Sequence, residues 1–228
     1  GNSESSRRGC LRDRTDCSVG REGDSVNKIR IAVLVSGGGT NLQALMDAQN
    51  RGEIPHGEIA LVLSNTEDAY ALTRARKAGI PATVVTKKEQ GSQQAFEEAI
   101  AHRLCLYGID LVILAGFMAI LSKDFTDQYP NRIINIHPSL IPSFCGAGYY
   151  GLKVHQAALE KGVKVTGATV HYVNEIPDGG EILMQKAVDI LPGDTPEILQ
   201  KRVMEQAEWH LLPKAAEMVA EKLCKEGF

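Results

Sequence analysis

The chain lacks what would mark several large classes of protein. No apolar run approaches the ~20 residues that a membrane-spanning helix needs. With 25 Lys and Arg against 28 Asp and Glu, the formal net charge is -3. That leaves no overall basic footprint for nucleic acid. The five cysteines, Cys10, Cys17, Cys105, Cys145 and Cys224, form no Cys-x-x-Cys pair. Neither a zinc site nor a disulfide framework is indicated, and reduced thiols in a cytoplasmic protein are expected. Cys145 lies near a histidine segment, but a thiol nucleophile needs a base aimed at it, so it is not taken as one. The glycine-rich loop described below has neither the Gly-x-Gly-x-x-Gly spacing nor the lysine of a Walker loop.

In bulk the composition is ordinary. Of the 228 residues 43 % are apolar and 23 % charged, as in a globular chain of one large domain or two small ones. Gly1 to Asn27 differ from the rest, being rich in Ser, Arg and Gly with almost no apolar residues. Such a segment buries too little surface to offset its ordering entropy. It also lacks the apolar stretch of a secretory signal. It is expected to be a disordered tail or an expression remnant, with a single domain over 28–228.

From Lys28 the pattern becomes periodic. Short Val/Ile/Leu runs at Ile29–Ser36, Ile59–Asn65, Ile109–Gly116 and Arg132–His137 alternate with helical segments closed by Gly52, Gly79 and Gly108. That alternation means βαβ units, and continuously apolar strands mean a parallel sheet covered on both faces. Later, Lys164–Val173 and Gly180–Leu191 read as two strands joined by a loop, an antiparallel addition at one edge. Residues from Thr195 onward read as helix, capped by Thr195 with Pro196 in the first turn, and Pro213 is expected to interrupt or kink it. The expected fold is α/β, Rossmann-like: a mostly parallel twisted sheet, helices on both faces and an antiparallel edge near the C-terminus.

Four segments could carry chemistry. Ser36–Asn41, "SGGGTN", joins the first strand to the first helix. Glycines admit a ligand close to the backbone, and a helix N-terminus offers free N–H groups, so the loop suits an anion such as phosphate; a plain tight turn is the alternative. In "IINIHPS", Asn135 and His137 point to one side of a strand end, where open α/β sheets bind ligands. An imidazole moves protons near neutral pH and an amide donates to an oxyanion; equally, the histidine could bond structurally to backbone. Asp178, in "NEIPDGG", is either a surface turn residue or, if the fold brings it to His137, the carboxylate that orients that imidazole. "AGFMAILS", Ala115–Ser122, could line a slot for a flat ring or be ordinary core.

Taken together, "SGGGTNLQAL", "LAGFMAILS", "NIHPSLIPSF", "HQAALEKG", "GATVHYVNEIPDGGEILMQKAV" and "EWHLLP" resemble, in order and spacing, the folate-dependent formyltransferases, in the branch acting on glycinamide ribonucleotide. The resemblance covers about Lys28 to Lys222. It implies formyl transfer from 10-formyltetrahydrofolate, as cosubstrate and without a metal, to the amine of 5-phosphoribosylglycinamide in purine synthesis. It implies catalytic roles for Asn135, His137 and Asp178, with Asp178 keeping His137 positively charged. It implies ribonucleotide contacts at Gly38, Gly39, Thr40 and Asn41, and a ribose contact at Glu208. Folate contacts fall on Met118, Ala119, Ile120 and Leu121, and on Asn174, Glu175, Ile176, Pro177 and Asp178, with Asn135 beside them.

This chain departs from the family where Ala119 and Gln93 stand in place of arginines that resemble contacts to the folate glutamate tail. "CGAGYYGLKVH" is also longer than in some members. The implied partners are small molecules, with no nucleic acid or membrane, for a cytoplasmic monomer or homodimer. Two kinds of alternative remain. One is another folate-dependent formyl-group enzyme: a formyltetrahydrofolate hydrolase, a sugar formyltransferase or a methionyl-tRNA formyltransferase. Each of these is expected to carry a further domain or module. The other is a nucleotide-binding module without chemistry.

Overall fold

A computed structural model describes residues 28–227; the expectations for Gly1–Asn27 lie outside the described residues. Strand β1 (Ile29–Val35) feeds helix α1 (Thr40–Asn50), followed by β2 (Gly57–Ser64), α2 (Tyr70–Lys77), β3 (Ala82–Val84), the single turn α3 (Lys87–Gln90) and α4 (Gln93–Leu106). Then come β4 (Leu111–Leu114), the short α5 (Lys123–Thr126), β5 (Ile133–His137), α6 (Leu152–Lys161), β6 (Val165–Tyr172) and β7 (Ile182–Asp189). The chain closes with α7 (Pro196–Val203), a π turn at Met204–Glu208 and α8 (Trp209–Glu226).

The seven strands form one sheet in the order β3-β2-β1-β4-β5-β6-β7. The first five run parallel, and β6 and β7 are antiparallel additions beside β5, as the strand patterns imply. Alternation along β1 shows why its strand is apolar throughout. Ile29, Ile31, Val33 and Val35 face a core shared with α1 and α8. Ala32 and Leu34 face a second core with Phe96 and Ile100 of α4 and Phe125 of α5. A strand clamped between two such layers has no solvent face on which to place a polar residue.

Strand order reverses between β1 and β4, so the loops leaving these two strands diverge and open a crevice at their carboxyl ends. That crevice is pinned. Ser36 N–H donates to the Gly116 carbonyl (3.1 Å), and Met118 N–H donates to Ser36 Oγ (2.8 Å).

One expectation is corrected. Helix α8 runs through Pro213 without interruption, and the irregularity falls earlier, at the π turn. Proline removes a donor to the carbonyl four residues back, which is Trp209. Among the described residues Cys145 and Cys224 are thiols. Among the described residues no helix is long and apolar enough to cross a membrane.

Candidate active site

The cavity at the carboxyl edge of the sheet has a volume of about 690 Å³ and carries most of the residues singled out by sequence. Strand β5 supplies Asn135 and His137 on the same side. Its neighbour β6 places His171 directly across from Asn135. The β6–β7 loop supplies Asp178, held at φ 56°, a left-handed conformation that aspartate tolerates better than most residues. The following glycines are required by space: a Cβ on Gly180 would lie 1.7 Å from the Tyr172 carbonyl oxygen, and one on Gly179 2.6 Å from Ile176.

These residues meet. His137 Nδ1 lies 3.4 Å from Asp178 Oδ2, and His171 Nε2 lies 3.5 Å from Asp178 Oδ1. Asn135 Nδ2 reaches both His171 Nε2 (3.2 Å) and Asp178 Oδ1 (3.4 Å). Gly146 N–H donates to Asp178 Oδ2 (2.8 Å). Backbone carbonyls fix both imidazoles. His137 Nε2–H donates to the Phe144 carbonyl (2.8 Å), and His171 Nδ1–H donates to the Tyr172 carbonyl (2.7 Å). A second proton on His137 therefore sits on Nδ1, facing Asp178.

The turn carrying Phe144 is held in place by Thr169 of β6. Thr169 Oγ1 donates to the Ser139 carbonyl (2.7 Å) and accepts from Ile141 N–H (3.1 Å).

Burial is the largest influence on His137 and lowers its pKa; the Asp178 charge and the Phe144 carbonyl oppose it without reversing it. Desolvation outweighs the carboxylate here, whereas the resemblance implied a His137 kept positively charged by Asp178. For Asp178, burial acts to raise the pKa but is outweighed by His171, His137 and the Gly146 N–H, so its carboxyl titrates below the usual range. The resting pair is an aspartate facing a neutral, proton-accepting imidazole.

At the other end of the cavity, Asn41 Nδ2 donates to Glu208 Oε2 (2.7 Å). Burial pushes the Glu208 carboxyl up to about 7, with the Asn41 bond opposing. Asn41 Oδ1 is buried and has no protein partner, so it is available to a ligand. Gly39, at φ 72°, precedes α1, and no side chain caps that helix. A Cβ on Gly39 would lie 2.6 Å from Ala71 Cβ. Arg74 Nε donates to the Gly38 carbonyl (2.8 Å) and fixes the loop from behind. Asn41 and Glu208 line the main cavity, whereas Thr40 faces a smaller neighbouring one and Gly38 and Gly39 form the outer turn.

The slot between the two expected folate loops is present. Met118–Leu121 and Asn174–Asp178 both line the cavity, with Met118, Ile120 and Ile176 more than half exposed. The first loop is anchored by the buried Glu97, which accepts from Ser122 N–H (2.7 Å) and Ser122 Oγ–H (2.5 Å). Gln93 donates to Glu97 (2.6 Å) and to the Ile120 carbonyl (3.0 Å). Among the described residues lining the cavity none is Lys or Arg.

Sequence reading missed His171 and His155. His171 becomes visible only through the β5–β6 register. His155, fully buried on α6, lines the cavity with neither ring nitrogen bonded to protein. Its pKa falls to about 4, chiefly through burial and then through His137. His155 opens the motif "HQAALEKG" but was assigned no role from it.

Residues 29–216 match the formyl transferase family. Phosphoribosylglycinamide formyltransferase of Haemophilus influenzae is 45 % identical over 81 % of this chain and 84 % of its own. The trifunctional purine biosynthetic protein adenosine-3 of Gallus gallus is 44 % identical over 88 % of this chain, which spans only 19 % of that longer protein. The crystal structure of glycinamide ribonucleotide transformylase 1 from Symbiobacterium toebii aligns with a TM-score of 0.80 at 46 % identity, covering 86 % of this chain and 89 % of that one. The frame is an open α/β sheet with an Asn–His–Asp cluster at its carboxyl rim. The chain belongs to the formyl transferase family.

Proposed function

We propose that this enzyme transfers the formyl group of 10-formyltetrahydrofolate to the primary amine of 5-phosphoribosylglycinamide. The observation that carries the reading is the meeting of Asn135, His137 and Asp178 at one wall of a cavity whose ends differ in chemistry. One end has Asn41 and a buried carboxyl, next to the glycine loop that opens α1, and suits a phosphorylated ribose. The other is an apolar slot between Met118–Leu121 and Asn174–Pro177, suited to a flat pterin. On this reading the two substrates meet at the catalytic wall, and holding them together contributes up to ~7–11 kcal/mol towards the barrier.

Attack of the amine on the formyl carbon generates an oxyanion and leaves a surplus proton on nitrogen. Asn135 meets the oxyanion: its two Nδ2 hydrogens are held by long bonds to His171 and Asp178, and a developing charge competes for one of them. His137 accepts the proton at Nδ1, where the Asp178 carboxylate stabilises the imidazolium. The same proton is then available to the departing folate nitrogen. Burial keeps His137 neutral beforehand, so it starts as a base, and the carboxylate lowers the cost of its becoming an acid.

The arginines that resemble glutamate-tail contacts are replaced here: Ala119 carries no charge, Gln93 is engaged with Glu97 and Ile120, and among the described residues the lining has no Lys or Arg. The testing experiment follows the absorbance of a formylated folate analogue with and without glycinamide ribonucleotide. Ribonucleotide-dependent deformylation is expected; deformylation independent of it indicates a hydrolase, and none at all a binding module.

A further inference from the structure

The last helical segment has an unusual spacing. Gln200, Met204 and Glu208 all line the cavity, four residues apart, while Leu199, Val203, Ala207 and Leu211 are buried in the core at the same spacing. Along an unbroken α-helix both stripes drift. Four residues overshoot one turn by about 40°, so residues eight apart diverge by about 80°. Between Met204 and Glu208, however, the backbone is a π turn, and the Trp209 N–H donates to the Met204 carbonyl five residues back. A π turn holds more than four residues, so the same step falls short of a full turn and returns the face to its starting direction.

Both flanks are fixed independently. Arg202 of α7 pairs with Asp194 and donates to the Asp189 carbonyl (3.2 Å), while α8 is packed into the core through Leu212, Ala216 and Ala220. The extra residue is absorbed between them.

We propose that the π turn sets the register of the ribonucleotide wall, making Gln200 a specificity-determining residue and Met204 a positioning residue. This rests on the reading of that end as the ribonucleotide site. The Gln200 amide shares a wall with Glu208 and meets the phosphorylated ribose in a cavity whose described lining residues include no Lys or Arg. Met204 acts through Thr40, whose hydroxyl donates to its sulfur (3.6 Å), and so braces the first residue of α1.

The test compares wild type with Gln200→Glu, Met204→Ala, a deletion of the exposed Gln206 that restores an α repeat, and the control Glu205→Ala on the outer side of the same turn. KM for glycinamide ribonucleotide, KM for the folate and kcat are measured, with circular dichroism to confirm folding. Gln200→Glu and the deletion raise the ribonucleotide KM at least tenfold and Met204→Ala at least threefold. Folate KM and saturating kcat stay within twofold, and Glu205→Ala changes nothing. If the deletion does not fold, Gln200→Glu and Met204→Ala decide. Wild-type ribonucleotide KM in Gln200→Glu and Met204→Ala overturns this inference alone. Absence of ribonucleotide-dependent turnover in the wild type overturns the functional reading and this inference with it.

Discussion

His137 Nδ1 and Asp178 Oδ2 stand 3.4 Å apart, although one residue ends a parallel strand and the other sits in the loop between the two antiparallel strands. The carboxylate is held by the Gly146 N–H and the imidazole by the Phe144 carbonyl. One short turn after β5 therefore orients both partners. The proposed transfer depends on this arrangement being in place before substrate arrives.

His137→Ala or Asn135→Ala is expected to lower kcat by at least about two decades, the usual consequence of losing one oxyanion or proton-transfer group. Ribonucleotide affinity should barely change, since Asn41 and Glu208 lie at the other end of the cavity. Steady-state kinetics with calorimetric titration of the ribonucleotide checks both halves.

His171 touches Asn135 and Asp178 and is placed by the Tyr172 carbonyl. Replacing it by phenylalanine keeps the bulk and removes the bonds. A hydrogen bond to a charged group is worth ~1.5–3 kcal/mol, so kcat should fall by about ten- to a hundredfold with both KM values little altered. Unchanged kcat would make His171 a bystander.

Glu208 gives a stability signature whose sign can be worked out. Its folded pKa is raised to about 7 from an unfolded value near 4.5, so the folded state binds the extra proton between these limits. Its carboxyl is fully compatible with folding below about pH 4.5, and stability is lost as pH rises through about 7, on the order of 3 kcal/mol in total. Glu208→Gln should therefore melt higher than wild type at pH 8, and the difference should vanish once the pH falls below the unfolded value of 4.5. Equal melting temperatures at pH 8 would contradict the buried-carboxyl account.

Gly39→Ala meets two obstacles together, a positive φ and a Cβ 2.6 Å from Ala71. Denaturant unfolding should show a loss of ~1–3 kcal/mol, and the ribonucleotide KM should rise as the α1 N-terminus shifts. The neighbouring Gly38→Ala, where a Cβ meets nothing within 4 Å, should be milder in both.

The alternation of Val/Ile/Leu runs with glycine-closed helices carried the sheet and its antiparallel edge, because strands buried on both faces leave a strong periodic signal. Asn135, His137 and Asp178 were legible as candidates, but their meeting was not, since it depends on β5–β6 register and on a loop conformation. His171 was hidden for the same reason. Helix α6 was quoted only as the motif "HQAALEKG" and not read as a helix. Pro213 was expected to interrupt or kink the last helix, which continues through it, and the winding changes upstream, where no residue type announces a π turn. The charge state of His137 was misread because its burial, a tertiary property, outweighs its carboxylate neighbour.

The most direct test of the central claim is the pH dependence of single-turnover formyl transfer in wild type and Asp178→Asn, with both substrates saturating. The account predicts transfer in the wild type that rises with pH as the buried His137 loses its proton, and a fall of about two decades or more in the variant at every pH. A variant that transfers the formyl group at the wild-type rate with an unchanged profile would contradict it.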